Sequence, residues 1–275
     1  MTSMRLHTLL INLALAAGAI VMLLPFAWML SLSVKDESDI FTSDLRFFPT
    51  DWDFANYLEA ITTGHIGTFL INGAIVTLFI LVLQILTIVP AAYVLARKQF
   101  RLRPLLFSLV LAVLLIPPQV TAIPVYLMIA KAGLIDSYAA LIVPFATSAF
   151  GIFLLHQGFR TLPQDLIDAA RMDGAGEFYA LWTILVPQLL PMIAAFGVFS
   201  VVVHWNDFFW PLLVITRIEN ATPPLGISIF ASDEGGNDVG PMMASATLIV
   251  MPLMFAFLIA RRRFIEGVTL SGIKG

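Results

Sequence analysis

Asp165, Asp168, Arg171, Asp173 and Glu177 fall within thirteen residues of one another, inside the stretch 162–191, and all five lie between two apolar spans. Carboxylates and a guanidinium at this density suit recognition by charge and hydrogen bonding. Spaced three apart, Asp168 and Arg171 meet on a helix, while Leu162, Leu166, Ala169 and Ala170 recur near helical spacing on another face. That predicts one short amphipathic helix. Gly174 then supplies a residue free of Cβ restraint, where the chain turns or lets another backbone come close, before Phe178, Leu181 and Trp182 begin a second apolar face. The expected product is a helix, a bend and a helix. A polar segment caught between two apolar spans must stand outside the hydrocarbon.

A second cluster is HWNDFFWPL, residues 204–212. Trp205, Phe208, Phe209 and Trp210 suit an aromatic belt, and Asn206 and Asp207 offer hydrogen bonds to a hydroxylated solute or to a facing helix. Asp207 is the only acid clearly within a span, and an ionisable group there is a functional candidate. Asn72, Gln119 and Tyr126 are further polar side chains within spans. Each either lines a pathway or bonds a neighbouring helix.

The chain carries no H-E-x-x-H and no G-x-S-x-G, and His7, His65, His156 and His204 are too scattered to propose a metal site. None of its four lysines follows a glycine, so it has no G-x-x-x-x-G-K-S/T loop to cradle a nucleotide. The absence of cysteine removes disulfides, thiol catalysis and cysteine-held metals. We therefore expect no enzyme, no bound metal and no cofactor on this chain. Any energy conversion must come from another polypeptide.

These residues need a frame. With 59% hydrophobic and 12% charged residues over 275, the chain is too apolar for a water-soluble domain, and its net charge of −3 points to neither nucleic acid nor a polyanion. Runs near 20 apolar residues mark six membrane spans at about 9–34, 69–96, 105–130, 138–157, 184–215 and 242–260. We expect an all-α polytopic membrane protein forming one domain, 1–275, with 160–183 as its polar loop. The third span is expected to break at Pro117-Pro118 and again at Pro124, and such irregular backbone survives only against protein or a wet cavity. The fifth is long enough to tilt or to project beyond the bilayer. If the N-terminus is cytoplasmic, Arg97, Lys98, Arg160, Arg171 and the Arg261–Arg263 run lie inside with most other basic residues, leaving Lys35, Arg46, Lys131 and Arg217 outside. Both termini and 160–183 are then cytoplasmic.

Asp168-Ala169-Ala170, Gly174 after three further residues, and Ile184 and Pro187 closing the run resemble the EAA loop of ABC importer permeases, with MDGA at 172–175 typical of the carbohydrate, maltose-type branch. The pattern W-N-D-x-x-W-P-L at 205–212, IPPQVTAIPVY at 116–126, DWDFANY at 51–57 and the tail after Arg263 resemble the same family, so the likeness covers essentially the whole chain. One departure stands out: the family usually has Glu where this chain has Asp168, a carboxylate one methylene shorter.

The resemblance implies a MetI-like permease fold in a bacterial inner membrane, with a cytoplasmic EAA coupling helix. It implies that Asp168, Ala169, Ala170, Asp173, Gly174 and Ala175 dock on an ATPase, and that Arg263, Gly267 and Lys274 make a second contact with it. The implied partners are a second homologous permease subunit, two ATPase subunits holding ATP and Mg, and a soluble solute-binding protein. The pathway candidates are Asn72, Gln119, Tyr126, Trp205, Asn206 and Asp207. The resemblance implies a solute among sugars, oligosaccharides, polyols, glycerol phosphates or acidic sugar derivatives. An ion-coupled secondary carrier is the alternative, since broken helices and Asp207 also fit such a device.

Overall fold

Helices are the only regular structure in the computed structural model, which describes residues 2–41, 46–233 and 239–269, with side chains over 7–41, 46–228 and 239–258. Among the described residues, four helical segments are long and apolar enough to cross a membrane: His7–Leu32, Ile66–Arg97, Tyr138–Thr161 and Val239–Leu258. Two bent pairs, Arg103–Leu114 with Pro118–Lys131 and Glu177–Gln188 with Leu190–Trp205, bring the number to six when each counts as one span. The protein is an all-α polytopic membrane protein with the expected span order.

Proline decides where these helices give way, though not at every position the sequence suggests. The third span turns through 104° at residues 115–117. Pro117 is extended, with ψ 133, as a residue preceding proline must be, and Pro118 opens the next helix. Pro124, expected to be a second break, instead lies inside the continuous helix Pro118–Lys131. Its ring removes one hydrogen bond, and the turns on either side carry the helix on. The first span likewise runs through Pro25.

The fifth span corrects a larger expectation. The apolar run 184–215 is not one tilted helix: a wide π turn covers Ala180–Leu185, an 80° bend follows at Leu189, and the straight segment is Leu190–Trp205. Pro187 and Pro191 stand four apart, so the N–H that Pro191 lacks is the one the Pro187 carbonyl would have received. The sixteen residues of Leu190–Trp205 rise about 24 Å. Asn206 stops the helix by donating its side-chain amide back to the Val202 carbonyl at 2.8 Å.

A jog in the fourth span shows how freed backbone is satisfied at depth. Tyr138–Ile142 passes through a 3-10 turn at Val143–Phe145, and the helix resumes at Ala149 with Ser148 capping the Gly151 N–H at 3.1 Å. The carbonyls exposed at this jog are taken by the second span. Gln84 donates to the Phe145 carbonyl at 3.1 Å and Thr87 to that of Ala146 at 2.9 Å. This span also runs to Thr161, four residues beyond the expected end.

The chain forms two compact units, residues 1–67 with 226–252, and residues 68–225 with 253–275. In the first, the buried Asn56 amide donates to the Ser33 carbonyl at 3.2 Å and to the Lys35 carbonyl at 2.9 Å, which makes it a fastener of that turn. Its first span, by contrast, leaves every residue from His7 to Phe26 exposed. In the second unit one apolar core joins Ile88, Ala92 and Tyr93 of the second span to Leu155 and Phe159, to Ile167, and to Leu181, Leu185, Leu189 and Phe196. Asp136 is the other fixed point of that unit. It accepts from the backbone N–H groups of Thr216 and Arg217 at 3.2 and 3.1 Å and pairs with the Arg217 guanidinium. Burial raises its carboxyl pKa, but the Arg217 side chain and these N–H groups outweigh that and hold it well below the usual carboxylate range. The clip is therefore intact wherever ordinary carboxylates are ionised, and is lost only as the pH falls below that range.

Candidate functional site

The polar loop folds as the helix–bend–helix that its pattern predicts. Gln164–Met172 forms the first helix, with Asp165 in its first turn and Arg171 in its last, each at the end its charge favours. Gly174 ends it with φ +76. The Gly174 N–H bonds the Arg171 carbonyl at 3.0 Å and the Ala175 N–H the Ala170 carbonyl at 2.9 Å, the paired closure of a Schellman cap with glycine at its left-handed position. Chain direction then reverses, and Glu177 opens the second helical segment.

Which side chains this hairpin hides is a matter of register. Ile167 and Ala170 are buried, with Leu162 and Leu166 half-buried against the same core. Ala169, placed on the apolar face by spacing, is exposed beside Asp168, because the buried stripe of so short a helix centres on 167 and 170. On the second segment Leu181, Leu185 and Leu189 recur every four residues and face inward, leaving Phe178 77% exposed where the sequence suggested a core position. Met172 and Tyr179 are exposed as well. Asp168, Ala169, Asp173 and Gly174 are thus exposed, Ala175 is half-buried, and Ala170 anchors the helix from beneath.

The hairpin is fastened by residues whose part in it the sequence does not reveal. Arg97, the last residue of the second span, donates its Nε to the Phe159 carbonyl at 2.8 Å, one guanidinium nitrogen to the Leu162 carbonyl and the other to Gln164 at 3.3 Å. It thereby grips the corner between the fourth span and the polar helix. Lys98 pairs with Glu177, and Arg171 lies 3.8 Å from both Asp168 and Glu177. The contact of Arg171 with Asp168 is the one expected from their i,i+3 spacing, whereas charge alone places Arg97 and Lys98 merely on one side of the membrane. Arg263 and Gly267 fall in the last helix with side chains outside the described set, and Lys274 lies outside the described residues altogether.

A second site lies where the bent third span meets the fifth. A cavity of about 280 Å³ has Gln119, Thr121, Phe145, His204, Asp207 and Trp210 among its walls. Of the pathway candidates it gathers Gln119 and Asp207. Tyr126 is half-buried on the same helix as Gln119 but does not line it. Asn206 is engaged with Val202, and Trp205 is buried, packed against the face of the second span at Gly73. A larger hollow of about 810 Å³, lined by Pro90, Val94, Phe100 and Leu109, is apolar except at Thr147 and presents no array of polar groups.

Asn72 sits apart from the cavity and is 2% exposed. Its amide donates to the Glu219 and Ala221 carbonyls at 2.7 and 2.9 Å, and its oxygen accepts from the Tyr138 hydroxyl at 2.6 Å. Replacing it with leucine strands three polar groups, at about 1–3 kcal/mol for each that stays buried. Asn72→Leu is therefore expected to lower the unfolding temperature of the purified protein and leave solute affinity unchanged. Lost affinity at an unaltered unfolding temperature would make Asn72 a pathway residue instead.

Residues 88–269 match the family described as binding-protein-dependent transport system inner membrane component. An arabinooligosaccharides transport system permease protein of Bacillus subtilis is 32% identical over 94% of this chain and 92% of its own length. A melibiose/raffinose/stachyose import permease protein of the same organism is 32% identical over 99% of this chain and 98% of its own. Among solved structures, a bacterial ABC transporter involved in the import of the acidic polysaccharide alginate contains a chain that superposes with a TM-score of 0.82 at 23% identity, over 94% of this chain and 97% of that one.

Proposed function

This chain belongs to the binding-protein-dependent transport system inner membrane components and is a sugar permease subunit of an ABC importer; on that premise we propose that its 164–183 hairpin is the coupling element through which ATPase subunits drive the spans, and that the solute is a neutral sugar. The observation that carries the coupling role is the exposure of Asp168, Ala169, Met172, Asp173, Gly174 and Phe178 on a hairpin clamped from beneath. A surface of mixed charge and large apolar side chains outside the spans fits a protein groove better than lipid or water.

In this reading the hairpin is cytoplasmic, as are both termini, in a bacterial inner membrane. Two ATPase subunits hold ATP and Mg, this chain itself holding none, and Asp168, Ala169, Ala170, Asp173, Gly174 and Ala175 form the docking face. When the ATPases close, their grooves shift, and the Arg97 clamp passes that displacement to the second and fourth spans together. Motion at one face becomes access at the other. Arg263, Gly267 and Lys274 would add a second ATPase contact. Residues 1–275 act as one permease domain beside a second, homologous permease subunit, and a soluble solute-binding protein delivers the sugar.

Neutral sugars are favoured over glycerol phosphates by the cavity's lining. Among the described residues its polar groups include Gln119, Thr121, His204 and Asp207, with neither lysine nor arginine to hold a phosphate. Uptake into vesicles separates the energy sources. The assembled complex is expected to accumulate sugar only with ATP inside and binding protein outside, and transport by this chain alone on an ion gradient would overturn the reading.

A further inference from the structure

Gln84, Ser200 and His204 meet between the second and fifth spans, and their hydrogen bonds fix the position of one proton. The Phe145 carbonyl can only accept, so the Gln84 amide must turn its nitrogen toward it, at 3.1 Å. The amide oxygen then accepts from Ser200 Oγ at 2.6 Å. The second amide proton is directed to His204 Nε2, 3.2 Å away. Nε2 is consequently an acceptor, and the neutral imidazole carries its proton on Nδ1. Gln84 and Ser200 are 3% and 2% exposed, so the arrangement is built into the packing.

His204 forms part of the wall of the 280 Å³ cavity, and its Nδ1 has no hydrogen-bond partner among the described residues. Asp207 faces the same space. One of its oxygens accepts from the Trp210 N–H at 3.3 Å, and the other remains able to accept. Trp210 gives its indole N–H to the Ala140 carbonyl at 2.9 Å and packs edge-on against Phe145, which leaves apolar ring surface toward the cavity. A directed donor, a carboxylate acceptor, the Gln119 amide and aromatic walls form a set that matches a sugar ring, whose hydroxyls both donate and accept and whose C–H faces lie on aromatic surfaces. The volume equals that of roughly nine waters, enough for a single ring.

We propose that this cavity is a solute subsite that holds one sugar ring, with the His204 Nδ1–H donating to one hydroxyl, Asp207 accepting from another, and Gln84 and Ser200 acting as positioning residues that set the imidazole's proton. The proposal rests on the sugar-importer reading and narrows it to named atoms.

Because the chain lacks cysteine, a single introduced thiol reports on the cavity. Thr121→Cys in the assembled complex, reconstituted in lipid discs, is treated with a charged methanethiosulfonate in the presence of millimolar D-glucose, D-galactose or L-arabinose. At least one sugar is expected to slow labelling threefold or more, while a thiol replacing Leu127, outside the cavity, is unaffected. His204→Asn, which keeps a donor in place, is expected to retain the protection, and His204→Phe to lose it. Should His204→Phe fail to assemble, Asp207→Asn reads the same site from the accepting side. An unreactive Thr121→Cys thiol, a thiol that no sugar protects, or protection undiminished in the His204→Phe or Asp207→Asn variant overturns the subsite. The two readings fail separately: a complex without ATPase subunits counts against the importer, whereas one that retains them with an unprotected thiol overturns the cavity alone.

Discussion

Arg97→Met is expected to reduce ATP-driven uptake about tenfold or more while the protein still reaches the membrane. A charged hydrogen bond contributes about 1.5–3 kcal/mol, and Arg97 alone joins the end of the second span to the Phe159 and Leu162 carbonyls and to Gln164. Losing one such bond loosens the grip by roughly a factor of ten, and methionine loses all three. The polar helix would keep its own cap and its Ile167 contact with the core, so it should remain helical but follow the spans less rigidly. Arg97→Lys tests the geometry, because an ammonium is a point charge that cannot reproduce a planar fork reaching three acceptors. It is expected to fall between the two. Hydrogen exchange over 162–175 should quicken in the order wild type, lysine, methionine, with ATP hydrolysed per sugar rising alongside. Wild-type stoichiometry and exchange in Arg97→Met would remove the clamp from the mechanism.

Gly174 carries the second large effect, and two separate causes can be told apart there. At φ +76 a β-branched residue is strained by about 1–3 kcal/mol, whereas asparagine visits this conformation readily. Among the described residues nothing lies within 4 Å of where a Cβ would sit, so no clash arises with them. Gly174→Val is expected to open the cap and abolish coupling. Gly174→Asp places another carboxylate beside Asp173 and is expected to abolish uptake without lowering the amount of protein in the membrane. Gly174→Asn is the informative case: with the turn preserved, any loss of ATPase stimulation measures space required by the docked partner. Full stimulation in all three variants would mean that the bend is only a connection.

How much of this was legible beforehand follows from the range of the interactions. The Schellman cap could be read because its bonds span three to five residues and glycine is the residue that such a turn selects. Pro117-Pro118 announced its break for the same reason. The bend at Leu189 went unread although Pro187 and Pro191 were in view, since a run of apolar residues gives no sign of which proline a neighbouring helix will support and which will turn the chain. Pro124 failed in the opposite direction. Phe178 was assigned inward because its spacing to Leu181 and Trp182 is helical, but a pattern of three cannot fix the face, and the leucines at 181, 185 and 189 decided it. Arg97 and His204 were out of reach altogether. Their partners lie 62 to 67 and 120 residues away in sequence, and an isolated arginine at a helix end reads as a topology signal. The helices and the hairpin were local problems, and the clamp and the cavity were not.

Docking of the hairpin on an ATPase is tested most directly by a thiol at position 169, exposed beside Asp168 in a chain without cysteine. Ala169→Cys in the assembled complex is expected to form a covalent adduct with the ATPase subunit on treatment with a short thiol-to-amine crosslinker, and the yield should change when ATP is bound. Equivalent thiols at Phe41 or Trp52, in the loop before the second span, are expected to give no adduct. Absence of an adduct from Ala169→Cys, or its appearance from Trp52→Cys instead, would contradict the account.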